Sequence, residues 1–194
     1  MNRIETGSEW RKWDLHVHTK GTNKNDNFTS PCFDSFCIAM FKKALEKDIK
    51  AIGITDYFGI CNYKRVKKFV NNLDSSDDFN SQERQNIKKI FILPNVELRM
   101  TPVTGSGKLI NIHCIFNPDE TFLKGLDNDF FNSLENPDGI KMNRDGFICL
   151  GKKSDNNLEG DSAYKNGVTE FHLEIGKLIE LFNKYTNLRK NTII

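Results

Sequence analysis

Between Trp13 and Thr55 the chain alternates in a way that few folds permit. Trp13–Val17 is a short run with strand character, and residues 19–30 form a polar loop with Gly21, Thr22 and Ser30 among asparagines and aspartates. After Pro31, the apolar residues Phe33, Phe36, Cys37, Met40, Phe41, Ala44 and Leu45 recur at helical spacing, which predicts an amphipathic helix to about Lys47. Ile49–Thr55 is mostly apolar, as a strand buried on both faces must be. Strand, helix and strand joined by short connections predict a parallel βαβ unit, and so an α/β fold. A length of 194 residues suffices for one good core, with room for an appendage.

Beyond this unit a second helix is predicted over Tyr63–Leu73, with Val66, Phe69 and Val70 inward. A solvated loop, Asp74–Asn80, and a polar helical turn or two, Gln82–Lys89, follow. Ile90–Leu93 reads as a strand broken by Pro94-Asn95, resumed over Val96–Met100 and followed by a further strand, Leu109–Phe116. Thr101–Gly107 between the last two reads as a hairpin loop. Residues 1–116 thus form the main unit, and 117–168, with short apolar clusters among Asn, Asp and Gly, an irregular insertion or small subdomain. Residues 169–194 comprise a helix, Thr169–Tyr185, and a tail with no closing element. The helix carries a stripe of Phe171, Ile175, Leu178, Phe182 and Tyr185, read as core-facing.

A hydrophobic content of 38%, a charged content of 28% and a net charge of +2 describe a soluble protein without a general affinity for polyanions. No apolar run is long enough to span a bilayer, and the N-terminus lacks the apolar core of a signal peptide. The five cysteines include no Cys-x-x-Cys and read as reduced, mostly packing residues of a cytoplasmic protein.

The chemistry centres on Asp14-Leu15-His16-Val17-His18. Two histidines one residue apart on a strand project to the same side, where both imidazoles can reach one metal ion; Asp14 shares that side as a supporting partner. Glu97 lies in a mostly apolar strand, where an unpaired buried carboxylate costs several kcal/mol, so a cation is expected beside it. A metal ion and Arg99 are the two choices, with a surface glutamate on an edge strand as the plain alternative. His113 lies on the following strand, where a lone histidine is ordinarily a hydrogen-bonded core residue. Asp56 ends the second strand, either on a functional rim at the C-terminal strand ends or as the cap of the next segment. Mixed imidazole and carboxylate ligation suits Zn²⁺, Mn²⁺ or Fe²⁺ rather than Ca²⁺ or Mg²⁺. Thr104-Gly105-Ser106-Gly107-Lys108 has a phosphate-loop look, but Pro102 and Leu109 depart from that pattern and the stretch joins two strands, so it reads as a turn. Lys64, Arg65, Lys67 and Lys68 read as the solvated face of a helix, with a nucleic-acid-binding face that holds a phosphate backbone as the alternative.

Asp14-Leu15-His16-Val17-His18-Thr19, Ile52-Gly53-Ile54-Thr55-Asp56, Val96-Glu97-Leu98-Arg99 and His113, in this order, resemble the successive early motifs of the PHP (polymerase and histidinol phosphatase) superfamily. Gly7–Asp14, Ile54–Tyr57 and Ile92–Arg99 look more specifically like its TrlF-like branch, in which a PHP domain precedes an AAA/SMC-like ATPase region. The resemblance is strongest over residues 7–116. It implies part of a distorted (β/α)7 barrel acting as a metal-dependent phosphoesterase on nucleotide or nucleic-acid phosphates. By the same resemblance His16 and His18 are ligands of one metal, Glu97 bridges two, His113 binds the second, and Arg99 clamps phosphate. Such ions activate water and neutralise phosphate oxygens. Tyr57 stands where the family has histidine, which speaks against a third metal. The family's later Asp-x-His is absent, and His172 falls on the predicted last helix, so the expectation is an incomplete barrel. Weak or no turnover is then expected of the chain alone, with the ATPase region or a partner chain supplying the remainder. The alternative is a catalytically incomplete remnant serving as a regulatory or scaffolding module of an ATPase-containing protein.

Overall fold

A computed structural model of the chain describes residues 10–24 and 26–194. Most of the N-terminal lead-in, including Gly7, Ser8 and Glu9 of the family-like string, lies outside these. The predicted βαβ unit is present: β1 (Lys12–His18), α1 (Phe33–Glu46) and β2 (Ile49–Tyr57), with β1 and β2 parallel. The Cys32 side chain caps α1 by accepting from the Ser35 amide. After α2 (Cys61–Asn71) comes α3 (Ser81–Lys88), begun by a capping box between Asn80 and Glu83. β3 (Phe91–Thr101) then runs parallel to β2, and β4 (Ile110–Phe116) returns antiparallel to it as the second arm of the expected hairpin.

Pro94 does not break β3, contrary to expectation. The ladder with β4 begins only at Asn95, so at Pro94 the strand is paired on the β2 side alone, a setting that tolerates proline. The sheet order is β1-β2-β3-β4-β6, where β6 is Thr192–Ile193, with β5 (Leu173–Glu174) beside the far end of β3. It is a mixed, open sheet: among the described residues β1 has a partner strand on one side only.

Residues 117–168 are largely helical rather than irregular. They hold α4 (Glu120–Asp129), α5 (Arg144–Ser154) and α6 (Gly160–Glu170). Asp119 caps α4 through the Phe122 amide, and Asn143 caps α5 through the Gly146 amide. α5 and α6 press together through glycines: a Cβ on Gly151 would stand 1.9 Å from the Ala163 carbonyl oxygen, and one on Gly167 1.7 Å from that of Phe147.

The predicted final helix is also corrected. α6 ends at Glu170, Phe171 is extended, Leu173–Glu174 forms β5, and only then does α7 (Ile175–Lys184) begin. Phe171 is pinned by the rings of Phe58 and Phe147, and Leu173 pairs with Met100; these two attachments outweigh helical continuation. His172 is therefore not on a helix. Within the stripe, Leu178 and Phe182 are buried, but Ile175 is exposed. The tail closes as α8 (Thr186–Lys190) and β6 (Thr192–Ile193), the latter pairing with β4.

One hydrophobic core takes residues from the whole length, from Phe36 through Phe116, Phe130 and Phe147 to Leu188. Of the five cysteines, only Cys37 and Cys114 are buried packing residues; Cys32, Cys61 and Cys149 are exposed, and all five are free thiols. No helix among the described residues is long and apolar enough to cross a membrane.

Candidate metal centre

The parallel run β1-β2-β3 brings three chemically distinct residues to one place. His18 is opposite Thr55 at the end of β1, and Tyr57 is opposite Glu97 across β2 and β3. β1 is bulged, since Asp14 pairs with Ile52 but Val17 with Ile54, so one extra residue is accommodated between them. Gly53 makes the bulge possible: a Cβ there would lie 2.2 Å from the Leu15 carbonyl oxygen. Asn95 holds that same oxygen with its side-chain amide at 2.7 Å, donates to the Thr55 hydroxyl at 3.1 Å, and places its own oxygen 3.1 Å from His113 Nδ1. One side chain thus ties β1, β2 and β4 together around the site.

Within this frame His16 Nε2 and His18 Nε2 are 3.1 Å apart, and Glu97 Oε2 lies 3.1 Å from His18 Nε2 and 3.5 Å from His16 Nε2. Ligand atoms about 2.0–2.1 Å from a tetrahedral zinc are separated from one another by roughly 3.3 Å. The observed triangle has that size. Glu97 is only 1% exposed, and its two oxygens differ. Oε1 accepts from the Asn111 side-chain amide at 2.6 Å, whereas Oε2 is buried with no hydrogen-bond partner among the described residues and meets the two imidazoles as ion-pair contacts. Burial pushes the Glu97 carboxyl up, but the imidazoles of His18, His113 and His16 together outweigh it and hold the group below its ordinary range.

An orphaned carboxylate oxygen facing two imidazole nitrogens is a donor set able to hold a transition-metal ion, and a tetrahedral ion there would keep its fourth position open. His18 Nδ1 is buried without a partner, so the second ring nitrogen that usually anchors a ligating histidine is not clamped here.

The other expected residues are placed around this trio in different ways. His113 stands beside it, its ring centroid 4.4 Å from that of His16, with Nδ1 toward Asn95. Burial and then the neighbouring His16 lower its pKa, which favours the neutral imidazole. Among the described residues Asp14 approaches the His16 amide, at 3.4 Å, and none of the ring nitrogens. Asp56 is turned away to α2, where its two oxygens accept from the backbone and side-chain nitrogens of Asn62, each at 2.7 Å. That is the capping arrangement. Burial pushes its carboxyl up to about 6, the bonds from Asn62 opposing the rise. Arg99 does not pair with Glu97; it donates to the Thr169 carbonyl at the end of α6 and lines a neighbouring cleft of about 460 Å³ with Lys24, Tyr57, Lys108 and Asn111. His172 takes no part, its Nδ1 lying 3.2 Å from the Glu170 carbonyl.

Sequence reasoning did not assign Asn95, Asn111 and Lys24 to the site; Tyr57 entered only as a departure from the family pattern, and Lys108 was read as part of a turn. For the two asparagines a signal was present. Asn95 and Asn111 each stand two residues before a site residue, Glu97 and His113, and so share its face of the strand. The antiparallel register then makes Asn95 a diagonal neighbour of His113, and Asn111 of Glu97, across the hairpin. Tyr57 stacks on His18, ring centroids 5.1 Å apart and planes 20° from parallel. For Lys24 and Lys108, both in loops, no local pattern gave their direction. No protein-family model and no curated protein matches this chain, so the site's chemistry is read from its geometry.

Proposed function

We propose that the chain is a metal-dependent phosphoesterase domain of PHP type, acting on nucleotide or nucleic-acid phosphates. The observation that carries the reading is the convergence of His16 Nε2, His18 Nε2 and the unpartnered Glu97 Oε2 at tetrahedral-edge separations. His16, His18 and Glu97 would hold the ion, with His113 beside them for a second. Bound ions of this class supply an activated water and charge neutralisation at phosphate oxygens. The chain's own residues do the rest. Asn111 orients Glu97 through Oε1, Tyr57 and Asn95 fix the flanking rings, and Arg99, anchored on the α6 carbonyl, offers guanidinium to a phosphate. The location agrees with the rule that parallel α/β sheets place sites at the carboxyl ends of their strands.

A second reading, a metal-binding module without turnover that serves an ATPase-containing protein, is favoured by one observation: the sheet is open at β1, and the His16 side chain is 53% exposed there. One experiment separates the two. Protein freed of metal and reloaded with Mn²⁺ or Zn²⁺ is assayed for hydrolysis of bis(p-nitrophenyl) phosphate, alongside His16→Ala and Glu97→Ala. The phosphoesterase reading expects metal-dependent hydrolysis, weak in a chain without the family's later ligands, that falls to background in either variant. Stoichiometric metal with no hydrolysis supports the module, and no bound metal contradicts both.

A further inference from the structure

The cleft beside the histidines gathers three cations, Lys24, Arg99 and Lys108, around Tyr57 and Asn111. No ion pair joins any of these cations to a carboxylate among the described residues. The acidic groups that act on Lys24 are Glu97 and Glu170, and Arg99 opposes them. When Glu97 serves an ion, its charge is no longer free to balance the cleft, which then carries a net positive charge in a confined space.

One cation, and the backbone of a second, are held in place. Arg99 is fixed by the Thr169 carbonyl. Lys108 closes the β3–β4 loop, its carbonyl accepting from the Thr104 amide at 2.7 Å and its amide donating to the Thr104 hydroxyl at 3.2 Å. The cleft shares walls with the histidine cluster, because Asn111 bonds to Glu97 and Tyr57 stacks on His18. An anion in the cleft is therefore one side chain away from a phosphate at the cluster.

We propose that this cleft is a second phosphate subsite, selecting substrates that carry another phosphate adjacent to the one attacked. The assignment rests on the phosphoesterase reading for its catalytic meaning, but the subsite itself is a binding property of Lys24 and Lys108 that metal removal leaves measurable. Each lysine supplies charge-assisted hydrogen bonds of the kind that phosphate recognition uses.

The test uses the full chain in two states. In EDTA, titration calorimetry compares a thymidine dinucleotide bearing a 5′-phosphate with the same dinucleotide lacking it, and ADP with adenosine. The 5′-phosphate and the diphosphate are expected to improve affinity, and Lys24→Ala or Lys108→Ala to remove that advantage by about tenfold. Loss confined to the dinucleotide identifies a strand phosphate, and loss confined to ADP a diphosphate group. With Mn²⁺ restored, the ratio of kcat/KM for the 5′-phosphorylated over the unphosphorylated dinucleotide falls by a similar factor in the same variants. Lys88→Ala, which removes an equal charge from α3 where it pairs with Asp74, retains the preference. An advantage that survives both cleft variants, or that Lys88→Ala reduces equally, overturns the subsite. Tight, lysine-dependent binding without hydrolysis of either dinucleotide supports the subsite while contradicting the phosphoesterase reading.

Discussion

At Glu97 the two carboxylate oxygens have separate tasks, one held by Asn111 and one turned toward His16 and His18 without a donor. A buried oxygen left in this way costs about 1–3 kcal/mol unless something cationic reaches it. Asp56 is the contrasting case, since its oxygens are fully engaged by Asn62 and its burial dominates. Because its folded pKa of about 6 lies above the ordinary 3.8, the native state binds this proton more tightly than the unfolded chain. Its contribution to stability is therefore full below pH 3.8 and lost as the pH rises through 6. Asp56→Asn, which keeps an oxygen for the Asn62 amide, should flatten that dependence. Urea unfolding at pH 4 and pH 7 should show wild type losing about 2–3 kcal/mol more than the variant over this range. Parallel pH profiles for the two proteins would contradict the account of Asp56. Of the site residues, His16, His18 and Glu97 were legible because their types are rare in apolar strands. The role of Asp56 was not, because a strand-end aspartate is equally suited to a rim or a cap, and only the path of α2 decides.

At the scale of elements, the α5/α6 contact was hidden from a reading based on apolar periodicity. Helices that meet through Gly151, Ala163 and Gly167 approach backbone to backbone, and glycines contribute nothing to an apolar periodicity. The final helix was misread for the opposite reason: Phe171 and Ile175 keep helical spacing, although an extended segment and β5 separate them. Gly167→Ala gains helix propensity but drives a methyl into the Phe147 carbonyl, so it should lose about 1–3 kcal/mol in thermal or urea unfolding. Gly176→Ala at the start of α7, where a Cβ meets nothing within 4 Å, should be neutral or gain up to about 1 kcal/mol. Equal effects in the two variants would contradict the close-packed reading of α5 and α6.

Across the whole molecule, the βαβ core and the β3–β4 hairpin follow from hydrophobic periodicity and turn residues. The sheet's termination does not follow, because β5 and β6 are two-residue strands whose pairing depends on partners distant in sequence. The parallel strands β1, β2 and β3, the bulge admitted by Gly53 and the three-way tie of Asn95 all serve one result: imidazoles from β1 meet a carboxylate from β3 in the same small volume. A metal centre built in this way is the central claim. X-ray absorption at the zinc edge, on the chain loaded with one equivalent of Zn²⁺, tests it most directly. The account predicts a shell of nitrogen and oxygen at about 2.0–2.1 Å with two imidazole contributions, losing one imidazole in His16→Ala and in His18→Ala. A sulfur shell at about 2.3 Å, or a spectrum unchanged in both variants, would contradict it.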